Sequence, residues 1–251
     1  MASYRYRAQI PANVMGAQIN TGMADVVIFS KPIEGDEETA NKAKADGAKI
    51  IVDFCDNHLD TPIYQKMAGL ADIITCPSKV MQAEIAKLGF DSTIIADPYE
   101  FDIQTPHVNG QNMMWFGHQS NLLEITPYLQ MPIEVVTGPN KYVKTCTFWS
   151  IENVRDALSR NDIVLIPDGK PTRSNNRMVN AIAAGCFVMG GKQLGEWKRF
   201  VYSGPLHHGF QFSKCFQSEL NGMVKEGQDY IVKHHSPEVV AKQWKDVCES
   251  I

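Results

Sequence analysis

Short apolar runs alternate with segments in which apolar residues recur at helical spacing, almost from one end of the chain to the other. In the first half, residues 4–10, 25–29, 49–54, 72–76 and 93–96 read as strands, and 36–46, 62–70 and 78–88 as helices. The segment 13–22, with Gly16 and Gly22, predicts a loop and a short helix. The helix over 78–88 is well marked: Ser78 suits its N-cap, Gly89 ends it, and Val80, Met81, Ile85 and Leu88 share one face. In the second half, 112–116, 133–137, 162–166 and 187–189 read as strands, with 143–148 a weaker candidate. Helices are expected over 121–129, 150–159 and 175–184, and the tail at 216–232 and 237–250 reads as helical. Strands alternating with helices imply an α/β class with parallel sheets covered on both faces.

The stretch 98–111, rich in Pro, Gly, Asn and other polar residues, divides the pattern into two halves. The expectation is two Rossmann-like, doubly wound domains, 1–104 and 105–251, which the 251-residue length accommodates. In such sheets ligands sit outside the carboxyl ends of the strands. The net charge of −4 supplies no global attraction to nucleic acid or an anionic membrane. No apolar run approaches the length of a membrane span, and the opening residues lack the apolar core of a signal peptide. None of the six cysteines stands in a C-x-x-C pair, and Cys55, Cys76 and Cys186 fall in or beside apolar runs, which predicts buried free thiols and a cytoplasmic protein.

Residues 161–191 concentrate the candidate chemistry. An apolar run from Ile163 to Ile166 ends at Pro167, a polar loop carrying Lys170 and Arg173 follows, and Ser174, Asn175, Asn176 and Arg177 open a helix that closes at Gly185. Free backbone N–H groups at a helix start attract a phosphate. Ser174 or Asn175 suits the N-cap. Arg177 in the first turn is unfavourable to the helix dipole, so either a phosphate or a nearby carboxylate is expected to hold it.

Two further clusters follow strands. After the run at 49–54, Asp53, Asp56, Asn57, His58 and Asp60 stand close together. Asp53 and Asp56 suit hydroxyl binding and His58 suits base chemistry, and a loop of Asx turns is the structural alternative. After the run at 112–116, Gly117 permits close approach to a ligand and His118 either points at it or serves its own loop. Gly138 ends the next strand in the same layer. No metal cluster is completed by these groups. The adjacent pairs His207–His208 and His234–His235 point apart and read as structural. No P-loop, G-x-S-x-G, H-E-x-x-H or G-x-G-x-x-G occurs.

These residues resemble a GT-B glycosyltransferase of the family 4 group. Phe116-Gly117-His118 is similar to the start of the donor domain, residues 161–167 to the strand before the donor loop, and 174–177 with 181–188 to the donor-binding helix and the strand after it. Residues 50–53 with Asp56 and Asn57 are similar to the first domain of short relatives. The two glutamates that the family carries eight residues apart align with Thr172 and Asn180. The resemblance implies two Rossmann-like domains facing across a cleft, with the last helices crossing back to the first. It implies transfer of a hexosyl group from a nucleoside diphosphate sugar, with retention and no cofactor or metal required. Gly117, His118, Gly138, Lys170, Arg173 and Ser174 to Arg177 (Asn175 and Asn176 between) then bind the donor. His58, Asp56 and His118 are catalytic candidates, and Gly16, Asp53 and Asn57 meet the acceptor, a saccharide, a lipid-linked saccharide or a modified DNA base. A non-catalytic nucleotide- or sugar-binding module and a sugar-nucleotide epimerase are the competing expectations.

Overall fold

The computed structural model describes residues 4–19, 24–143, 145–167, 174–190, 197, 199–203 and 214–251, with backbone alone at 203 and 214–216. The chain forms two compact units. Unit 1 comprises Met1–Glu100, Pro171–Asn176 and Lys233–Ile251; unit 2 comprises Phe101–Lys170 and Arg177–Val232. The division after Glu100 lies four residues before the boundary expected from the sequence, and the tail returns to unit 1.

Unit 1 holds a parallel sheet of β1 (Val26–Ser30), β2 (Lys49–Asp53), β3 (Ile73–Cys76) and β4 (Thr93–Ile94), in the order β1-β2-β3-β4. Right-handed crossovers that always step in one direction place their helices on one face. Helices α2 (Asp36–Ala45), α3 (Pro62–Leu70) and α4 (Lys79–Lys87) follow β1, β2 and β3 in turn. Ile50, Val52 and Phe54 turn toward them and join Ala40, Tyr64, Met67, Met81 and Ile85 in one core. Ile51, on the opposite face by the two-residue period of a strand, joins Ile95, Val240, Trp244 and Val247. That second face is closed by α8 (Pro237–Cys248), against which α1 (Ile10–Met15) packs. Ser78 caps α4 by accepting from Met81 N.

The sequence pattern misleads at 4–10. These residues form a π-helical turn, Arg5–Gln9, that runs into α1, and no strand. The tyrosine–arginine alternation resembles a half-buried strand, yet one phase is mixed: Tyr4 is 46% exposed while Tyr6, two residues on, is buried, as is Arg7. Tertiary pairing of Arg7, described below, overrides the local period.

Unit 2 holds β5 (Met113–Phe116), β6 (Ile133–Thr137), β7 (Thr147–Phe148), β8 (Ile163–Ile166), β9 (Phe187–Gly190) and β10 (Val201–Ser203), all parallel, in the order β10-β9-β8-β5-β6-β7. Winding proceeds from β5 outward through β6 and β7, then returns to β8 and proceeds the other way. This is the Rossmann order, and its topological switch point lies between β5 and β8. Trp115, Val135, Ile163, Leu165, Phe187 and Met189 fill one face with Leu122, Ile125, Leu220 and Val224. The last two lie on α7 (Lys214–His235). Met114, Val136, Val164 and Val188 alternate with them and are equally buried. Helix α5 (Ile151–Arg160) contacts β5 and β6 and buries Val154, Ala157 and Leu158. Helix α6 (Asn176–Ala183) is buried from Met178 onward.

Two expected elements are shorter than the pattern suggests. Residues 121–129 form 3-10 turns, Gln119–Glu124 and Thr126–Tyr128, because Pro127 cannot supply an N–H to a longer helix. Residues 143–148 contribute only Thr147–Phe148 to the sheet. Entry into β5 is fixed by the Asp162 carboxylate, which accepts from the backbone N–H groups of Asn109, Gly110, Gln111 and Asn112. Gly185 closes α6 at φ 82°, and a Cβ there would lie 2.5 Å from the Thr105 carbonyl.

Candidate functional site

The switch point of unit 2 is built from the end of β5 and the start of α6. Gly117 N donates to Val136 O at 3.1 Å, and the Gly117 carbonyl accepts from Thr137 Oγ1 at 2.9 Å, so this turn is held from β6. A Cβ on Gly117 would lie 2.9 Å from Trp115 Cζ2 and 3.4 Å from Arg177 Nη1. Glycine is therefore demanded by the packing of an indole and a guanidinium. Arg177 reaches back from the first turn of α6: its Nη1 donates to Phe116 O at 3.4 Å and its Cζ stands 5.9 Å from the Trp115 ring centroid. The strand-end carbonyl and the indole face thus orient a cation that the helix dipole disfavours. The arginine is half-buried, with its charge at the carboxyl end of β5.

His118 begins the turn after Gly117. Its Nδ1 accepts from Ser120 N at 3.2 Å and lies 2.8 Å from Ser120 Oγ, so the ring caps its own 3-10 turn and, when neutral, carries its proton on Nε2. The side chain is exposed. Gly138, at the end of β6, is crossed by Gln119: a Cβ would lie 2.6 Å from Gln119 Oε1. Gln119 was not anticipated from sequence, where its only signal is its place two residues after the strand-end glycine.

The expected donor residues do not act alike. Ser174 and Asn175 precede α6 and belong to unit 1 with Asn176. Ser174 Oγ donates to Asp97 Oδ2 and accepts from Asn176 N at 3.3 Å, so its hydroxyl is committed within the protein. Asn175 is half-buried. Asn180 is buried in α6. Lys170, Arg173 and Thr172 lie outside the described residues, as do His207 and His208.

In unit 1 the carboxyl ends of the strands carry a saturated ionic network. Asp53, 0% exposed, accepts from Arg7 Nε at 3.0 Å and from Arg7 Nη2, Ser30 Oγ at 2.8 Å and Thr75 Oγ1 at 2.8 Å. Four donors occupy the four acceptor positions of the carboxylate, leaving none for a ligand. Arg7 also donates to the carbonyls of Ile95 and Ala96 and to Asp97 Oδ1, beneath the Trp244 ring. Burial depresses the Arg7 guanidinium, and the Asp53 charge more than offsets this, holding it above its ordinary range. Burial pushes Asp97 up, and Arg7 and Ser174 only partly counter it. His235, the last residue of α7, donates from Nδ1 to the Asp97 carbonyl at 2.8 Å.

Around this network the remaining expected residues spread outward. Asp56 pairs with Lys31 Nζ at 2.7 Å, both side chains about a third exposed. Desolvation lowers the Lys31 ammonium, and the hydrogen bond and charge of Asp56 outweigh it, so its pKa is raised. Asn57 Oδ1 accepts from Leu59 N at 3.4 Å, an Asx turn. His58 is exposed and meets the Tyr64 ring edge-on at 5.6 Å. Gly16 is exposed at φ 67° and ends α1 as its left-handed cap. Asp53, Asp56, Asn57 and His58 are therefore gathered at one strand end, whereas Gly16 closes a helix. Cys55, Cys76 and Cys186 are buried free thiols, and burial pushes each one up. Among the described residues no group of three or more His, Cys, Asp or Glu side chains is placed to hold a metal ion, and no helix is long and apolar enough to cross a membrane.

No protein-family model matches the chain, and no curated protein matches it. Solved structures share its fold. Anabaena Alr3699/HepE, crystallised with UDP-glucose, is 12% identical, with 90% of this chain and 79% of that one aligned at a TM-score of 0.64. The pneumococcal O-GlcNAc transferase GtfA, in complex with UDP and GlcNAc, is 12% identical at a TM-score of 0.56, with 97% of this chain but 60% of GtfA covered. AviGT4, a glycosyltransferase of avilamycin A biosynthesis, is 14% identical over 91% of this chain and 75% of its own, at a TM-score of 0.56. The chain has a GT-B fold, two Rossmann-like α/β units with a helical tail that returns to the first.

Proposed function

We propose that the chain is a glycosyltransferase that moves a hexosyl group from a nucleoside diphosphate sugar to an acceptor, with retention and without a required metal ion. The observation that carries this reading is the switch point of unit 2. There a glycine without room for a Cβ and an arginine fastened to a strand-end carbonyl set a positive charge at the carboxyl end of β5. This is the chemistry that a diphosphate needs, since charge developing on the leaving group is stabilised by oriented donors already in place. The fold neighbours crystallised with UDP and UDP-glucose support a nucleotide as the ligand.

In this reading Arg177 takes the diphosphate and the Gly117 and Gly138 turns lie along the nucleoside. His118 presents Nε2–H to the sugar or its leaving oxygen. Unit 1 takes the acceptor, with Asp56 and His58 at its hydroxyl, while Asp53 holds Arg7 and the strand ends in place without touching the acceptor. Ser174 orders the approach to α6 through Asp97 and does not bind the donor itself.

Thermal stabilisation and nucleotide release are measured against UDP-, GDP-, ADP-, CMP- and dTDP-sugars, wild type beside Arg177→Ala. Selective stabilisation that the variant loses, with slow nucleotide release, is the expected result. A response to nucleotide sugars that Arg177→Ala retains would remove the arginine from the site. Binding with no transfer or hydrolysis would favour a non-catalytic module, the reading that the neutral, buried Asn180 favours in place of a family glutamate.

A further inference from the structure

The described sheets have four edge strands, and one of them is unlike the others. Unit 1 is bordered by β1 and β4, unit 2 by β10 and β7. β4 and β7 have two residues each and β10 has three, and edges that short offer little for another strand to pair with. β1 has five, Val-Val-Ile-Phe-Ser from Val26 to Ser30, with no charged residue and no proline among them. Charge, proline and brevity are the devices that blunt an exposed edge, and β1 has none of them.

Pairing with β2 fixes which backbone groups of β1 face outward. Lys31 N donates to Asp53 O at 3.0 Å, Lys49 N donates to Asp25 O at 2.8 Å, and the parallel register sets Val26, Ile28 and Ser30 opposite Lys49, Ile51 and Asp53. In such a ladder alternate residues turn their N–H and C=O toward the neighbour, here residues 25, 27, 29 and 31. The N–H and C=O groups of Val26, Ile28 and Ser30 therefore point out of the sheet, and among the described residues nothing pairs with them. The side chains of Val27 and Phe29 enter the helix-covered core and that of Val26 packs with the cluster around Trp244, whereas Ile28 is 39% exposed.

A second copy of the chain matches this edge group for group. With a two-fold axis at Ile28 the two strands run antiparallel, Ile28 faces the partner's Ile28, and Val26 faces the partner's Ser30. All of these are hydrogen-bonded positions, so every outward N–H and C=O of both strands finds a partner. One residue beyond each strand end, Asp25 falls opposite the partner's Lys31, and opposite charges across a strand pair are favourable. Asp25 is exposed, and the Lys31 side chain keeps 37% of its surface beside its own Asp56. A register shifted by two residues loses this match, setting Asp25 against Phe29 or Lys31 against Val27. We propose that the free edge of β1 is a self-pairing surface, through which two copies join their first sheets into one continuous sheet. The two-fold contact closes at two copies and leads to no fibre. Five residues a side bury less than the about 800 Å² per partner of a standard interface, so the association is weak and concentration-dependent. Nothing in this pairing depends on the transfer of a sugar.

The test uses the full chain in two measurements. Sedimentation equilibrium through the micromolar range compares wild type with Asp25→Lys, which sets two lysines against each other at both ends of the pair. Wild type is expected to move from monomer toward dimer as concentration rises, and the variant to associate about tenfold or more less tightly. Cysteine crosslinking reads the register itself. Hydrogen-bonded antiparallel pairs hold their Cα atoms about 5.5 Å apart, within reach of a disulfide, so Ile28→Cys places two thiols together on the axis. Ile33→Cys, at a position 65% exposed but past the strand end and off the axis, is the control, and wild type reports the native thiols. Under mild oxidation Ile28→Cys is expected to give a covalent dimer about tenfold or more faster than either. A monomer at every concentration, an open-ended assembly, a dimer that Asp25→Lys leaves unchanged, or crosslinking of Ile28→Cys no faster than that of Ile33→Cys would each overturn the pairing. Thermal unfolding confirms that each variant is folded, and the crosslink decides the matter where Asp25→Lys is not.

Discussion

The two units put contrasting chemistry at the carboxyl ends of their parallel strands. In unit 1 the strands step in one direction, no switch point forms within the described sheet, and the end of β2 is plugged by Arg7, Asp53 and Asp97. Each carboxylate oxygen of Asp53 is already matched. In unit 2 the winding reverses between β5 and β8, and the residues there are glycines, an exposed histidine and a tethered arginine. A strand end that is fully hydrogen-bonded organises its surroundings, whereas the proposed donor site is placed where a glycine turn meets an oriented charge. Polar residues after a strand thus do not by themselves mark a site; what matters is whether their donors and acceptors are already taken.

Breaking the plug is expected to have the largest effect on stability. Arg7→Met leaves two buried carboxylates without their cation, and urea unfolding should show a loss of about 3–5 kcal/mol. The corresponding change in unit 2 separates the two behaviours. Arg177→Ala is expected to lower transfer by roughly 10²–10³-fold, the scale of removing one transition-state donor, with the unfolding midpoint nearly unchanged. A large stability loss there would mean that Arg177 is structural, like Arg7. Gly117→Ala stands between them: the clash with Trp115 should cost about 1–3 kcal/mol and also weaken nucleotide binding, which a thermal-shift titration reads directly.

The pH dependence sharpens the same contrast on a smaller scale. Asp97 is raised by burial from an ordinary value of 3.8, so the folded protein holds that proton to higher pH than the unfolded chain does. Its contribution to stability is complete below the unfolded value and is lost as pH rises through the folded one. Glu134 of unit 2 is the reverse. Desolvation raises it, but Arg160 and Asn161 outweigh this and lower it from 4.5. Its contribution is present above that value and is lost as pH falls. Unfolding of wild type and Asp97→Asn measured from pH 4 to 7 should show the stability difference, wild type minus variant, falling as pH rises; a flat difference would mean that Asp97 titrates alike in both states. Lys225→Ala, which removes an exposed pair with Asp229, should change stability by no more than about 0.5 kcal/mol.

Much of this was legible because it is local. Ser78 before Val80, Met81 and Ile85, and the apolar run 163–166 between polar neighbours, are read from period and capping alone, and the structure has a helix and a strand there. The glycine after β5 was legible as a point of close approach. Asp53 looked like a ligand-binding carboxylate, since nothing near it in sequence reveals that an arginine 46 positions earlier fills its acceptor sites.

The sequence by itself determined the alternation of strands and helices, the division into two α/β halves, the capped helix starts and the thiols destined for burial, because each depends on spacing within about a dozen residues. Tertiary structure alone decided that residues 4–10 coil into a helix, that the polar end of β2 is sealed, and that an arginine is fastened at the end of β5. Those outcomes depend on pairings between distant residues, Arg7 with Asp53 and Asp97, and Arg177 with Phe116. Burying a charge is tolerated only where such a partner arrives.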